Sequence, residues 1–225
     1  MIRFCKFAIA AALVVTVCSC GTAKTYDLQL KPELNKAYAY DVTVVAISQN
    51  KRLTLNMGIL RTATRINGDH ITFRNEITKE EVNKVIPKGV TPESLKAATV
   101  KQIMDVHGQL VSQSGGVPGM RTQDPSNESL LPPHPVKVGD TWKTDYQGTP
   151  ATSVLQSIDE KNGKQLAHVA VTLDPGGQLK SAQPFHLLFD IETGMLIEGT
   201  LNGVESKDGT ADMTIRLIEP AIGKQ

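Results

Sequence analysis

Cysteine is absent from most of this chain. Cys5, Cys18 and Cys20 are its three cysteines. The body beyond them holds no disulfide and no free thiol, so its core alone must stabilise it. Aromatic residues make up 4% of the sequence, too few for a platform that stacks sugars or bases. Neither sign of charge prevails, with 24 basic against 23 acidic residues and no basic run. A nucleic-acid partner is therefore not expected. The five histidines, His70, His107, His134, His168 and His186, never fall two, three or four residues from one another. No strand or helix thus presents a ready metal face, and no metal or cofactor is expected. Gly-x-Ser-x-Gly and His-Glu-x-x-His are missing, and no catalytic residue is assigned.

One apolar run is present, over residues 7–17, preceded by Arg3 and Lys6. Its length suits the hydrophobic region of an export signal and is too short to span a bilayer as a helix. It ends in Val17-Cys18-Ser19-Cys20, which resembles the lipobox of bacterial lipoproteins: aliphatic, tolerant, small, cysteine. The resemblance implies cleavage after Ser19, a diacylglyceryl thioether on Cys20 and a further acyl chain, such as palmitate, on the freed amine. Two or more chains hold a protein stably on a membrane. Residues 1–19 are then a signal peptide and 20–25 a short lipidated tether. Gly21 follows the cysteine where an inner-membrane retention signal would place aspartate. The expected location is the outer membrane, facing the periplasm. Loss of Arg3 and Lys6 leaves 22 basic against 23 acidic residues.

The body reads as strands. Over 37–47, Tyr38, Tyr40, Val42 and Val44 share one face, opposed by Asp41 and Thr43. Over 52–66, Leu53, Leu55, Met57 and Ile59 share a face. Leu60, Thr62 and Ile66 then fall on the other parity, so a bulge is expected at Gly58. Asn67-Gly68 signals a hairpin into a third strand carrying Ile71, Phe73 and Ile77. Thr91-Pro92-Glu93 opens one short helix near 91–99: threonine caps, proline takes the first turn and glutamate suits the positive end. Strands over 100–106 and 109–113 turn at His107-Gly108. Residues 114–135 are rich in Ser, Gly, Pro and Asn without periodicity, and read as a long loop. Leu130-Leu131 before Pro132-Pro133 should pin its far end. Six further strands follow, over 141–147, 153–160, 165–173, 185–191, 195–201 and 211–218, separated by Gly-bearing turns.

The expected fold is mainly β: a curved antiparallel sheet or half-open barrel with one short helix, in which two similar halves, 26–113 and 136–219, flank the loop and 220–225 trails. Two separate β domains are the alternative. The duplication rests on an echo between Met104-Asp105-Val106-His107-Gly108-Gln109-Leu110 and Phe189-Asp190-Ile191-Glu192-Thr193-Gly194-Met195-Leu196. The phrase Val136-Lys137-Val138-Gly139-Asp140-Thr141-Trp142 resembles bacterial lipoprotein families related to the half-barrel lipoprotein carriers. That resemblance covers about residues 130–200. It implies a concave apolar face able to hold an acyl chain or a partner's hydrophobic segment.

Remaining candidates have local explanations. Ser48-Gln49-Asn50-Lys51 matches Ser-x-x-Lys but sits in a turn, without companion motifs. Ser114-Gly115-Gly116 precedes no helix that would aim it at an anion. Asp105 and Asp190 fit the aspartates that accept backbone hydrogen bonds before a turn. Trp142, the sole tryptophan, fits a core anchor. The functional expectation is a non-enzymatic, lipid-anchored envelope protein that binds a hydrophobic ligand or a protein partner. A structural or assembly subunit, with 114–135 as its arm, is the second reading; a hydrolase with an unrecognised site is the third.

Overall fold

The computed structural model describes residues 24–48, 51–83, 99–116, 130–146, 149–174, 176–177, 179–206 and 209–218. Cys20, the helix expected near 91–99 and most of the 114–135 loop lie outside them. Twelve strands form: β1 Ala37–Ser48, β2 Lys51–Asn67, β3 His70–Asn83, β4 Thr99–Asp105, β5 Leu110–Gly115, β6 Thr141–Tyr146, β7 Thr149–Lys161, β8 Lys164–Leu173, β9 Lys180–Ser181, β10 Phe185–Asp190, β11 Leu196–Ser206 and β12 Gly209–Ile218. All join one sheet in the order β5-β4-β3-β2-β1-β12-β11-β10-β8-β7-β6, with β9 attached to β11. Every pairing is antiparallel. Among the described residues the fold is an open, curved, all-β sheet.

The alternation seen in sequence sets which face is buried. Tyr38, Tyr40 and Val42 of β1 are buried. In β12, Met213, Ile215 and Leu217 pack against the core while Asp212, Thr214 and Arg216 face solvent. A sheet buried on one face requires this period of two. Its curvature follows from bulges, each of which bends a strand and raises its twist. The register shifts at Ile103/Met104, Leu155/Ser157, Leu188/Phe189 and Leu201/Val204. At the last of these, Gly203 has φ 61° and donates its N–H to Asp212 Oδ1 at 2.7 Å.

The expected irregularity at Gly58 is present, but its effect differs. Gly58 pairs with Lys79 and Ile59 with Ile77, so the extra residue is Thr78 of β3. The inward phase of β2 therefore does not slip there. Met57, Ile59 and Ala63 all meet the core, and Leu60 and Thr62 take the opposite face. The parity change comes later, at Thr64, between Ala63 and Arg65. An arginine, Arg61, thus occupies an inward position on the parity of Met57, Ile59 and Ala63.

The echoing hairpins occupy different places. β4–β5 closes one edge of the sheet, whereas β10–β11 lies inside it. From the central β1–β12 pair outward, the first half runs in ascending chain order and the second in descending order. The echo reflects a common turn chemistry and no common position. Asp105 Oδ1 accepts from the N–H of His107 and Gln109 at 2.9 and 2.8 Å, and Asp190 Oδ1 from Glu192 and Thr193 at 2.9 and 3.4 Å.

Two non-strand segments cover one end of the concave face. Residues 24–36 form a strap whose Leu28 and Leu30 are buried. Leu30 N–H donates to Val106 O and Lys31 N–H to Thr193 O, each at 2.7 Å, so the strap ties together the turns after β4 and β10. Tyr26 and Val136 form a bridge between the strap and the second segment, 130–140. There Leu131, Pro132 and Val136 are buried, as an apolar pair ahead of prolines implies.

Candidate functional site

The strap does not fill the concave face. Beside it lies a hollow of about 470 Å³. Its apolar walls include Tyr40 and Val42 of β1, Ile59 of β2, Met104 of β4, Ile215 of β12 and Leu131. A second hollow of about 400 Å³ continues along the same two central strands. Val42 and Ile215 line the first. Val44 and Met213, the next inward residues, line the second, with Ala46 and Ala211 beyond them. From Tyr40 to Ala46 the track runs roughly 20 Å at strand rise. Half of a bilayer's hydrocarbon core, the depth of one acyl chain, is about 15 Å.

A polar stripe crosses the floor of the first hollow. Arg61, Asn75, Gln102 and Gln113 come from four adjacent strands, β2 to β5. Asn75 Nδ2 donates to Gln102 Oε1 at 3.0 Å, and Gln102 Nε2 to Gln113 Oε1 at 2.9 Å. Arg61 heads this ladder, directly opposite Asn75. Its guanidinium carbon stands 3.9 Å from the centroid of the fully buried Phe73 ring. Its Nη2 lies on the weakly accepting sulfur of Met104. Its Nε is shut away from solvent with no hydrogen-bond partner. The residue as a whole is half-buried and lines the hollow.

Burial lowers the Arg61 pKa from its usual value, opposed by Tyr40. Burial also lifts the Tyr40 phenol from 10.0 to about 12, while Arg61 pulls it down and Tyr38 adds to the rise. The folded chain thus keeps this proton to higher pH than the unfolded chain does. Tyr40's share of stability is full below pH 10.0 and is lost as pH rises to about 12. Urea denaturation of wild type and Tyr40→Phe across that window should show the wild type losing stability relative to the variant. A constant difference would mean that the phenol is well solvated.

The residues singled out in sequence lie elsewhere. Ser48 and Lys51 face each other, both exposed, at the β1–β2 turn. His168 Nε2 is 2.8 Å from Asp159 Oδ2 on the outer surface. His107 Nδ1 is 2.8 Å from Pro132 O. His70, His134 and His186 are exposed. Among the described residues, no three His, Cys, Asp or Glu side chains converge on a point that could hold a metal ion. Asp105 and Asp190 serve their turns. Gly115 has φ 79°, and a Cβ there would meet Thr99 O at 2.3 Å, so its glycine answers to close packing between strands. Trp142 is buried in the core and lines neither hollow. Arg61 and its three amides went unnoticed in sequence. The available signal was a lone arginine on the odd parity of Met57, Ile59 and Ala63.

No family model and no curated protein matches this chain. Its likeness is to solved structures. Lipovitellin, from a structure titled for its lipid–protein interactions, superposes with a TM-score of 0.50 at 12% identity over 83% of this chain. This chain spans about a quarter, 25%, of lipovitellin's length. A putative outer membrane lipoprotein-sorting protein domain from Vibrio parahaemolyticus matches 83% of this chain and 85% of its own, with a TM-score of 0.31 and 8% identity. A protein of the LolA superfamily from Nitrosomonas europaea matches 82% and 85%, with a TM-score of 0.27 and 7% identity. At 12% identity the likeness to lipovitellin is one of fold alone.

Proposed function

We propose that this chain is a non-enzymatic, lipid-anchored envelope protein that shelters a hydrophobic ligand on its concave face. The observation that carries this reading is the pair of hollows, of about 470 and 400 Å³, lined by successive inward apolar residues of β1 and β12. Burying apolar surface there is favourable by about 25 cal/mol per Å². The lipobox at Cys20 supplies the anchor in this reading, through acyl chains that hold the body at the membrane, with the outer membrane as its destination. The likeness to lipovitellin, whose structure concerns lipid–protein interactions, agrees with the reading.

Native mass spectrometry of the protein released gently from membranes tests the ligand. The expected result is a mass excess that solvent extraction removes and identifies as acyl lipid. Widening Val42 to Trp should fill the junction of the hollows and abolish that excess while the fold persists. Retention of the full excess would place the lipid elsewhere and defeat the reading. Radiolabelled palmitate should enter the wild type and fail to enter Cys20→Ser.

A further inference from the structure

We infer that the ligand of the concave face is a single-chain amphiphile whose carboxylate head is received by Arg61, with its tail running along β1 and β12 away from the strap. This rests on the hydrophobic-ligand reading and adds the chemistry of the head. Arg61 carries its cation at the floor of a hollow whose other polar side chains are the uncharged amides Asn75, Gln102 and Gln113, and no carboxylate among the described residues pairs with it. A buried charge without a partner is strongly unfavourable, and such groups are ordinarily paired. The contacts that Arg61 does make, an aromatic face and a thioether, hold the guanidinium in place without neutralising it. Five N–H donors arranged as a planar fork remain almost unused.

One cation calls for one negative charge, and a guanidinium matches a planar carboxylate. The amide ladder adds the second element of a head-group site. Its hydrogen bonds run in one direction from Asn75 to Gln113, which leaves the Gln113 amide donors at the end away from Arg61. The stripe is polar on a face that is otherwise apolar. It lies at the strap end of the track, while the second hollow extends toward Ala46 and Ala211. A head at Arg61 therefore directs its tail along Val42 and Val44.

The test uses the full chain in phosphatidylcholine nanodiscs and two photoactivatable probes of equal length, hexadecanoic acid and hexadecanol, each with a mid-chain diazirine. Peptide mapping measures labelling around Val42–Val44 and Met213–Ile215. At equal concentration the acid should label about ten- to a hundredfold more than the alcohol, the range of a charge-assisted hydrogen bond. Arg61→Met should bring the acid down to the level of the alcohol and leave the alcohol unchanged. Arg61→Gln, which retains polarity without charge, should do the same, and circular dichroism checks that each variant is folded. Equal labelling by acid and alcohol in the wild type would overturn the proposal, as would an acid preference that survives in folded Arg61→Met or Arg61→Gln. Labelling by neither probe would instead remove the hydrophobic-ligand reading beneath it.

Discussion

Replacing Gly194 by alanine should lower the free energy of unfolding by about 3 kcal/mol or more, read as a fall of roughly 1 M or more in the urea midpoint. Gly194 lies in the turn after β10 with φ 65°. An L-residue loses about 1–2 kcal/mol in that conformation. The larger effect is steric. A Cβ would stand 2.0 Å from Gln29 O, 2.5 Å from Gln29 C and 2.8 Å from Leu30 N. These are backbone atoms, and no rotamer change relieves the overlap. Either the turn or the strap must move, and lifting the strap exposes Leu28 and Leu30. Gly163 is the control: its φ is 75°, with nothing within 4 Å of the added carbon. Gly163→Ala should show only the conformational part. Equal losses at the two positions would mean that the strap yields at no cost.

The second large effect is expected at Phe73. Its side chain is fully buried, and Phe73→Ala should cost about 3–5 kcal/mol through lost burial and the cavity left behind. Part of that loss belongs to Arg61, whose cation rests on the ring. In an Arg61→Met background the same truncation should cost about 1 kcal/mol less, the size of a partly desolvated cation–π contact. Chemical denaturation of the four proteins in the cycle measures the coupling. Zero coupling would show that the ring only fills space and that the guanidinium is not held by it.

The inward place of Phe73 is legible in the alternation with Ile71, whereas the strap against Gly194 and the guanidinium on the Phe73 ring are not. Period-two alternation identified most strands because a sheet wet on one side imposes it. Tyr38, Tyr40 and Val42 in β1, and Met213, Ile215 and Leu217 in β12, are clear examples. The alternation says nothing about which strands become neighbours. The β1–β12 pairing joins distant parts of the chain through backbone hydrogen bonds that leave no mark in the side chains. The strap was missed because Leu28 and Leu30 form only two beats of a pattern, too few to read. Arg61 does not stand out in sequence because polarity ordinarily marks the outward parity, and an inward arginine inverts that rule. A bulge on the neighbouring strand, at Thr78, leaves β2 without a slip at Gly58 and moves its parity change to Thr64. The aspartates were legible because their partners are two to four residues away.

The strap also determines how the sheet would respond to tension. A pull on the chain ahead of residue 24 meets the Tyr26–Val136 bridge first, then the Leu30–Val106 and Lys31–Thr193 hydrogen bonds, and only afterwards β1. Load is thus divided between turns from opposite halves of the sheet before any strand is stressed. Modest force would unzip this clasp and bare the mouth of the hollow while the twelve-stranded frame stayed whole.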